Sequence, residues 1–189
     1  MSALAPIINF HNRFFAGLER VTDGGLLGLL GRVVFALVLL IYFWNSAWGK
    51  IGDGPLGFLT MTDGAYFSIL GEGVMTAYEY DKANVPLHLD AVVYFGTWME
   101  FLLPLLIIIG LFTRLASIGM IGFVIVQSVV DIVAHGVDAT TIGAWFDNQS
   151  GGVILDQRAL WIFLFIVLIV KGGGWLSLDR LLSKRRAEL

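Results

Sequence analysis

Charged and polar side chains interrupt segments of this sequence that are otherwise strongly apolar. Gln127, Asp131 and His135 recur at every fourth position, which places them on one face of a helix. Glu100 lies midway along another apolar segment, and Arg158 begins a third. Charged groups inside such segments face a protein interior and are often functional. Two carboxylates and an imidazole close together between the helices indicate proton transfer. The catalytic candidates are Glu100, Asp131 and His135.

The short Thr113-Arg114 connection sets the depths of these groups relative to one another. Counted outward from that turn in an antiparallel hairpin, Glu100 lies level with Gln127. Each polar group is then within about one helical turn, roughly 6 Å, of the next. A membrane-soluble quinone needs a flat apolar slot, polar partners for its carbonyls and a proton route to water. We therefore expect a quinone here, with Gln127 bonding a carbonyl and Arg158 stabilising negative charge.

Aromatic residues lie near the end of the apolar segments where Asp131, His135 and Arg158 are expected. Tyr42, Asn45 and Trp48 share a face of the first segment by their spacing. Trp44 and Trp161 add aromatic surface at a similar depth. These residues predict a quinone-binding pocket that opens outward, with aromatic walls and the mid-membrane glutamate as its floor.

A purely structural interpretation of the same residues stays open. Glu100 with Gln127, and Asp131 with Arg158, can be buried pairs that only hold the helices in register. Tryptophans at the edge of a bilayer ordinarily form an aromatic belt.

The composition excludes several classes of protein. Of the 189 residues, 57% are apolar and only 14% are charged, and the mean hydropathy is +0.81. An ordinary water-soluble domain is more polar. A net charge of −3 argues against nucleic-acid binding. Without cysteine there is no disulfide, covalent c-type haem or iron–sulfur cluster, and no haem or flavin motif is present. His88 and His135 leave open a bis-histidine metal or haem site, which no signature spacing supports.

Four apolar stretches are long enough to cross a bilayer as helices. They predict an all-α, four-helix transmembrane bundle between an interfacial N-terminal segment and a basic tail. Nine of the twelve Lys and Arg residues lie with the termini and the short turn, so the positive-inside rule places both termini in the cytoplasm. The predicted spans are about 27–48, 90–112, 115–135 and 157–176, within a transmembrane domain at 27–176 that follows segment 1–26 and precedes tail 177–189.

Two segments outside the spans have helical patterns of their own. Within the N-terminal segment, Phe10, Phe14 and Leu18 recur at helical spacing opposite polar residues, which predicts an amphipathic helix on the cytoplasmic membrane surface. The long connection at 49–89 contains a helix start at Thr62-Asp63-Gly64. We expect this connection to lie against the bundle or the outer leaflet.

Three groups of residues then give the chain a family resemblance. The first span ends in Trp48-Gly49-Lys50, and the second carries Glu100 ahead of Gly110-Leu111-Phe112-Thr113-Arg114. The fourth closes with Gly172-Gly173-Gly174-Trp175-Leu176-Ser177-Leu178-Asp179. In this order they resemble the G-x-K-like helix end, the E…GL-x-T-R hairpin and the G-x-G-x-x-S-L-D ending of DoxX-type membrane proteins. These landmarks cover about residues 32–180.

The length of the first outer loop is similar to that of the DoxD branch of this family. The resemblance implies a membrane subunit of a thiosulfate:quinone oxidoreductase, working with a separate outward-facing subunit. It also carries over Glu100, Arg114 and Asp179 as motif positions, the last two with roles in topology and docking. Gln127 and Asp131 match no motif of the family, and neither do His135 and Arg158.

The sequence therefore predicts a quinone-interacting subunit of a redox complex in the plasma membrane of a bacterial or archaeal cell. Because the chain lacks donor chemistry of its own, we expect a periplasmic or membrane partner, docked on loop 49–89. One alternative is a non-catalytic anchor for redox or stress-response enzymes. Another is a small-solute or proton transporter, which four helices would support only as a homo-oligomer.

Overall fold

The computed structural model describes residues 4–187, and this part of the chain is helical, without β-strands. Four of its helices are long and apolar enough to cross a membrane, which confirms the predicted all-helical architecture. They are α2 (Leu27–Trp48), α5 (Leu87–Ile109), α6 (Thr113–Val133) and α8 (Val153–Lys171). The shorter helices are α1 (Ala5–Val21), α3 (Asp63–Leu70), α4 (Glu72–Ala77), α7 (Ala139–Ile142) and α9 (Leu178–Ala187). Residues 1–3 and 188–189 of the predicted terminal segments lie outside the described residues.

Glycines in the left-handed region end two of the long helices earlier than predicted. Helix α5 ends at Ile109, before Gly110 with φ of 70°, and α8 ends at Lys171, before Gly172 with φ of 73°. The apolar pattern continues past both points, to Phe112 and Leu176, and the predicted spans extended that far. Only glycine adopts this conformation without a steric cost, so the backbone turns there although the side chains remain apolar.

We call the end of the bundle that comprises residues 110–113 and 172–177 the turn end. One buried guanidinium joins three segments of the chain there. Arg32 of α2 donates from Nε to the Ile107 carbonyl at 2.8 Å and from Nη2 to the Ile108 carbonyl. From Nη1 it donates to the carbonyls of Gly173 at 3.1 Å and Leu176 at 3.2 Å. The last carbonyls of a helix have no partner within that helix. Arg32 therefore closes the end of α5 and holds the glycine-rich segment against it.

Asp179 caps the next helix at the turn end. Its carboxylate accepts hydrogen bonds from the backbone N–H groups of Phe112 at 2.7 Å and Thr113 at 2.9 Å. Its own N–H donates to the Gly110 carbonyl at 2.8 Å. A carboxylate at a helix N-terminus satisfies free donors and interacts favourably with the helix dipole. Segment 110–114 and the Ser177-Leu178-Asp179 turn are thus in direct contact.

At the opposite end, which we call the loop end, the long connection packs as a small module on α5. Thr62 caps α3 by accepting from the Ala65 N–H at 3.3 Å, at the predicted helix start. Gly71, with φ of 82°, then separates α3 from α4. Buried residues of this module include Met61, Ala65, Tyr66 and Met75, packed with Val93 of α5.

Close backbone contact at the turn end predicts the effect of a single methyl group. A Cβ added at Gly28 would lie 2.4 Å from the Gly172 carbonyl oxygen and 2.8 Å from the Gly174 nitrogen. Because these are backbone atoms, we expect Gly28→Ala to lower the free energy of unfolding by about 1–3 kcal/mol. Thermal unfolding in detergent, followed by circular dichroism, measures the loss.

Gly17→Ala is the matched control, since a Cβ at Gly17 of α1 meets nothing within 4 Å. This variant should be neutral or slightly stabilising, because alanine favours helix more than glycine does. Equal losses in the two variants would contradict the proposed close contact at Gly28.

Candidate functional site

A cavity of about 450 Å³ lies between α5 and α6, towards the loop end. Gly96 of α5 and both Gly119 and Gly122 of α6 line it, so part of its volume is space that side chains leave empty. Phe95 and Phe123 are its aromatic walls. Such a volume, largely apolar with a few polar groups, is typical of a site for a small organic molecule.

A buried ion pair borders this cavity. Lys50 and Glu100 are each only 6% exposed, and Lys50 Nζ donates to the two carboxylate oxygens at 2.8 and 2.9 Å. The same Nζ donates to Ser46 Oγ at 2.6 Å. With all three donors of the ammonium engaged, the pair has the hydrogen bonding that a buried charge requires.

The sequence does not identify Lys50 as a site residue, because its position after Trp48 places it in the long connection at 49–89. Glu100 pairs with Lys50 and not with Gln127, although Glu100 and Gln127 line the same cavity. A long lysine stem lets a residue just beyond a helix end carry its charge back along that helix. Two sequence features together could have indicated this ion pair. They are the Gly49-Lys50 motif at the end of the first span and a Glu100 with no cation predicted to neutralise it.

Gln127 presents an unused polar atom at the cavity. Its Nε2 donates to the Tyr42 hydroxyl at 3.0 Å, whereas Oε1 is buried and has no hydrogen-bond partner among the described residues. Leaving a buried acceptor unpaired costs about 1–3 kcal/mol, so such an atom calls for an explanation. Gln127 itself lines the cavity.

The predicted contact between Asp131 and Arg158 is present. Arg158, 3% exposed, donates from Nη2 to Asp131 Oδ2 at 2.6 Å and from Nη1 to Ser128 Oγ at 2.9 Å. Asp131 borders the cavity on α6, while Arg158 contacts it from α8. One turn further along, His135 also borders the cavity, and its Nε2 lies 3.0 Å from the Ser68 carbonyl oxygen of α3.

The predicted aromatic walls are in the wrong place. None of the residues Asn45, Trp44, Trp48 and Trp161 lines the cavity. Trp48 is exposed and packs on Phe101, and Asn45 is exposed as well. Trp44 Nε1 donates to the Phe101 carbonyl at 3.3 Å, and Trp161 packs on Tyr42 with ring centroids 5.3 Å apart.

The reason is the rotation of α2 about its own axis. The face that meets the site carries Ser46 and Lys50, which line the cavity, and Tyr42, which accepts from Gln127; these three residues are four positions apart. The predicted face used three-residue steps, from Tyr42 to Asn45 and Trp48. Both steps occur on helix surfaces, and the sequence alone does not choose between them.

Helix α3 covers the loop end of the cavity and is held there by a polar contact with the first turn of α5. It contributes Ser68 and Ile69 to the lining, and the Tyr66 hydroxyl donates to the Asp90 carboxylate. Burial raises the pKa of Tyr66, and the hydrogen bond to Asp90 and the charge of that carboxylate raise it further.

Comparisons with protein-family models, with curated proteins and with solved structures find no match for this chain.

Replacing the buried carboxylate should destabilise the protein strongly. Glu100→Gln leaves the Lys50 ammonium buried without a counter-charge, a change that costs about 3–5 kcal/mol. The double variant Lys50→Met/Glu100→Leu removes both charges and should recover most of that loss. Thermal unfolding in detergent distinguishes the variants.

Asp63→Asn serves as the control, because the Asp63–Lys82 pair, 3.1 Å apart, is exposed. An exposed pair contributes at most about 1 kcal/mol. If the double variant were as unstable as Glu100→Gln, the Lys50–Glu100 interaction would not be the cause of the loss.

The Tyr66 contact should weaken at high pH. A phenol whose pKa is raised on folding stabilises the fold fully below its unfolded pKa of about 10, and that contribution is lost as the pH rises through the folded value. Absorbance at 295 nm should therefore show tyrosine ionisation delayed to higher pH in the folded chain. Tyr66→Phe should remove the delayed part, and its persistence in that variant would assign it to another residue.

Proposed function

We propose that this chain is a quinone-binding membrane subunit of the DoxX/DoxD type, working in a redox complex of the plasma membrane. The observation that carries the proposal is a largely apolar cavity that contains a buried ion pair and an unpartnered amide oxygen. Lys50 and Glu100 supply the ion pair, and Gln127 supplies the amide.

The rim of the cavity favours a ligand that arrives from the lipid. Phe95 and Val126, both in the lining, are 67% and 62% exposed. Since they lie within membrane-spanning helices, their exposed surfaces face hydrocarbon. The sequence predicts a pocket that opens towards the outer surface. At that end, however, α3 covers the cavity and contributes Ser68 and Ile69 to its lining. A lateral entrance between α5 and α6 suits a molecule dissolved in the bilayer.

The polar groups of the cavity fit a quinone. A bound quinone accepts two electrons and two protons at its carbonyl oxygens. Lys50 Nζ, held by Glu100 and Ser46, places a positive charge at the cavity wall, which favours negative charge on a ligand oxygen. Gln127 can turn either its oxygen or its nitrogen to the ligand, because the Tyr42 hydroxyl can both donate and accept. The same amide thus suits a carbonyl or a hydroxyl.

The remaining polar groups extend from the cavity to the loop end. Asp131 and His135 both border the cavity, one turn apart on the same face. Asp131 is held by Arg158, and His135 by the Ser68 carbonyl. We assign Asp131 and His135 to proton exchange with water at that end, the role that their sequence pattern predicts, and Arg158 to positioning Asp131.

The charge distribution supports an orientation with both termini in the cytoplasm. In that orientation α1 lies on the inner membrane surface, where Ile7, Phe10 and Phe14, which are exposed, enter the lipid boundary. The loop end then faces outward. Its module around α3 and α4 is the surface for a periplasmic partner that supplies electrons.

Filling the cavity tests the proposal. A Cβ at Gly122 meets nothing within 4 Å, so Gly122→Leu should fold and occupy the space. We expect the dissociation constant for ubiquinone-1, measured by isothermal titration calorimetry in detergent, to rise at least about tenfold, which corresponds to roughly 1.4 kcal/mol.

Val129→Leu adds bulk to the exposed face of the same helix, outside the lining, and should leave binding unchanged. Absence of saturable binding to the native chain would overturn the quinone proposal and favour the non-catalytic anchor. Quinone binding that Gly122→Leu leaves intact would place the site elsewhere.

A further inference from the structure

A second cavity, of about 510 Å³, lies at the turn end, outside the site described above. Its lining includes Arg114, Lys171 and Arg180, together with Thr113. Thr113 is the first residue of α6, and Lys171 is the last residue of α8. The cavity therefore lies at the depth where the spanning helices meet the membrane surface.

Among the described residues that line this cavity, positive charge exceeds negative charge. Its two carboxylates are already engaged, since Asp179 accepts from the Phe112 and Thr113 N–H groups and Asp23 accepts from Lys171 Nζ at 2.5 Å. Within the part of the chain that the structure describes, Arg114 makes one hydrogen bond, from Nη2 to the Val170 carbonyl at 3.3 Å. A guanidinium has five N–H donors, so most of the donors of Arg114 remain for a ligand.

The hydroxyl of Thr113 points independently to a ligand. Thr113 is fully buried, and its Oγ1 has no hydrogen-bond partner among the described residues. The other hydroxyl deep in this cavity, Ser177 Oγ, donates to the Gly174 carbonyl at 2.7 Å. Thr113 and Arg114 line the same cavity, and an oxyanion there would supply a partner to the hydroxyl and to the unused donors of the guanidinium.

Apolar side chains flank the charged part of the cavity. Phe112 and Leu115, both in the lining, are 62% and 68% exposed. A free phosphate ion has no use for such surface, whereas a phospholipid would place an acyl chain against it. Basic pockets at the cytoplasmic ends of membrane helices commonly bind anionic headgroups.

We propose that the turn-end cavity binds the phosphate group of an anionic membrane lipid, with Arg114 and the Thr113 hydroxyl contacting the phosphate. Arg180, which also lines the cavity, adds attraction for the negative charge. The acyl chains lie against Phe112 and Leu115. This site is separate from the quinone cavity and does not depend on it.

Native mass spectrometry of the delipidated full-length chain tests this proposal, with dioleoylphosphatidylglycerol as the probe. Arg114→Gln should weaken lipid binding about fivefold, the factor typical of one basic residue near an anionic surface. Arg13→Gln removes the same charge from α1, where Arg13 is exposed, and should leave binding unchanged. Equal weakening by the two variants would indicate general attraction to the surface and overturn the proposal.

Thr113→Val gives a second readout that a purely structural role would not produce. Valine has the same shape but lacks the unpartnered hydroxyl, so the unfolding temperature in lipid-free detergent should stay equal or rise. Lipid binding should nevertheless fall. Unchanged lipid binding in this variant would overturn the role of Thr113.

Inorganic phosphate, offered alone and in competition with the lipid, separates the two sources of the anion. Lipid retention that phosphate fails to reduce supports a phospholipid, held by its phosphate and its acyl chains together. Saturable binding of inorganic phosphate by a chain that does not retain the lipid would overturn the lipid assignment.

Discussion

Inside a hydrocarbon layer no water reaches a charged group, so each buried charge has to find its partner within the protein. The described helices obey this constraint through contacts between different segments. Lys50 joins the end of α2 to Glu100 of α5, and Asp131 joins α6 to Arg158 of α8. Arg32 joins α2 to the end of α5 and to the segment after α8. Together these contacts tie all four long helices.

The two ends of the bundle use this constraint differently. At the turn end, backbone groups approach closely, and Arg32 and Asp179 satisfy the helix termini there. Towards the loop end, α5 and α6 leave a cavity beside the Lys50–Glu100 pair, with α3 across it. The tight end fixes the relative positions of the helices. The loop end then has room for a ligand without loss of the helix register. A structural role and a functional role of the buried pairs are therefore compatible.

Much of the candidate site could be predicted because it lies along single helices. The spacing of Gln127, Asp131 and His135 on α6 is a local property, and all three line the cavity as that spacing required. The depth count across the hairpin also placed Glu100 correctly beside them. The partner of Glu100 could not be found in this way, since Lys50 belongs to a third segment that no short turn connects. The tryptophans were misplaced for the same reason, because the rotation of α2 depends on what packs against it.

The sequence by itself determined the four apolar helices and the order of the polar groups along each, because hydropathy and helical spacing are properties of one segment. It also carried the charge asymmetry that distinguishes the two ends. Only the tertiary structure decided which polar groups pair across helices, where the backbone turns at glycines inside an apolar run, and on which side the cavity opens. Those features depend on the rotation and close approach of helices distant in sequence, and many rotations satisfy the same pattern. Among these helix rotations, the favoured one pairs the buried charges, because burying a charge without a partner costs free energy.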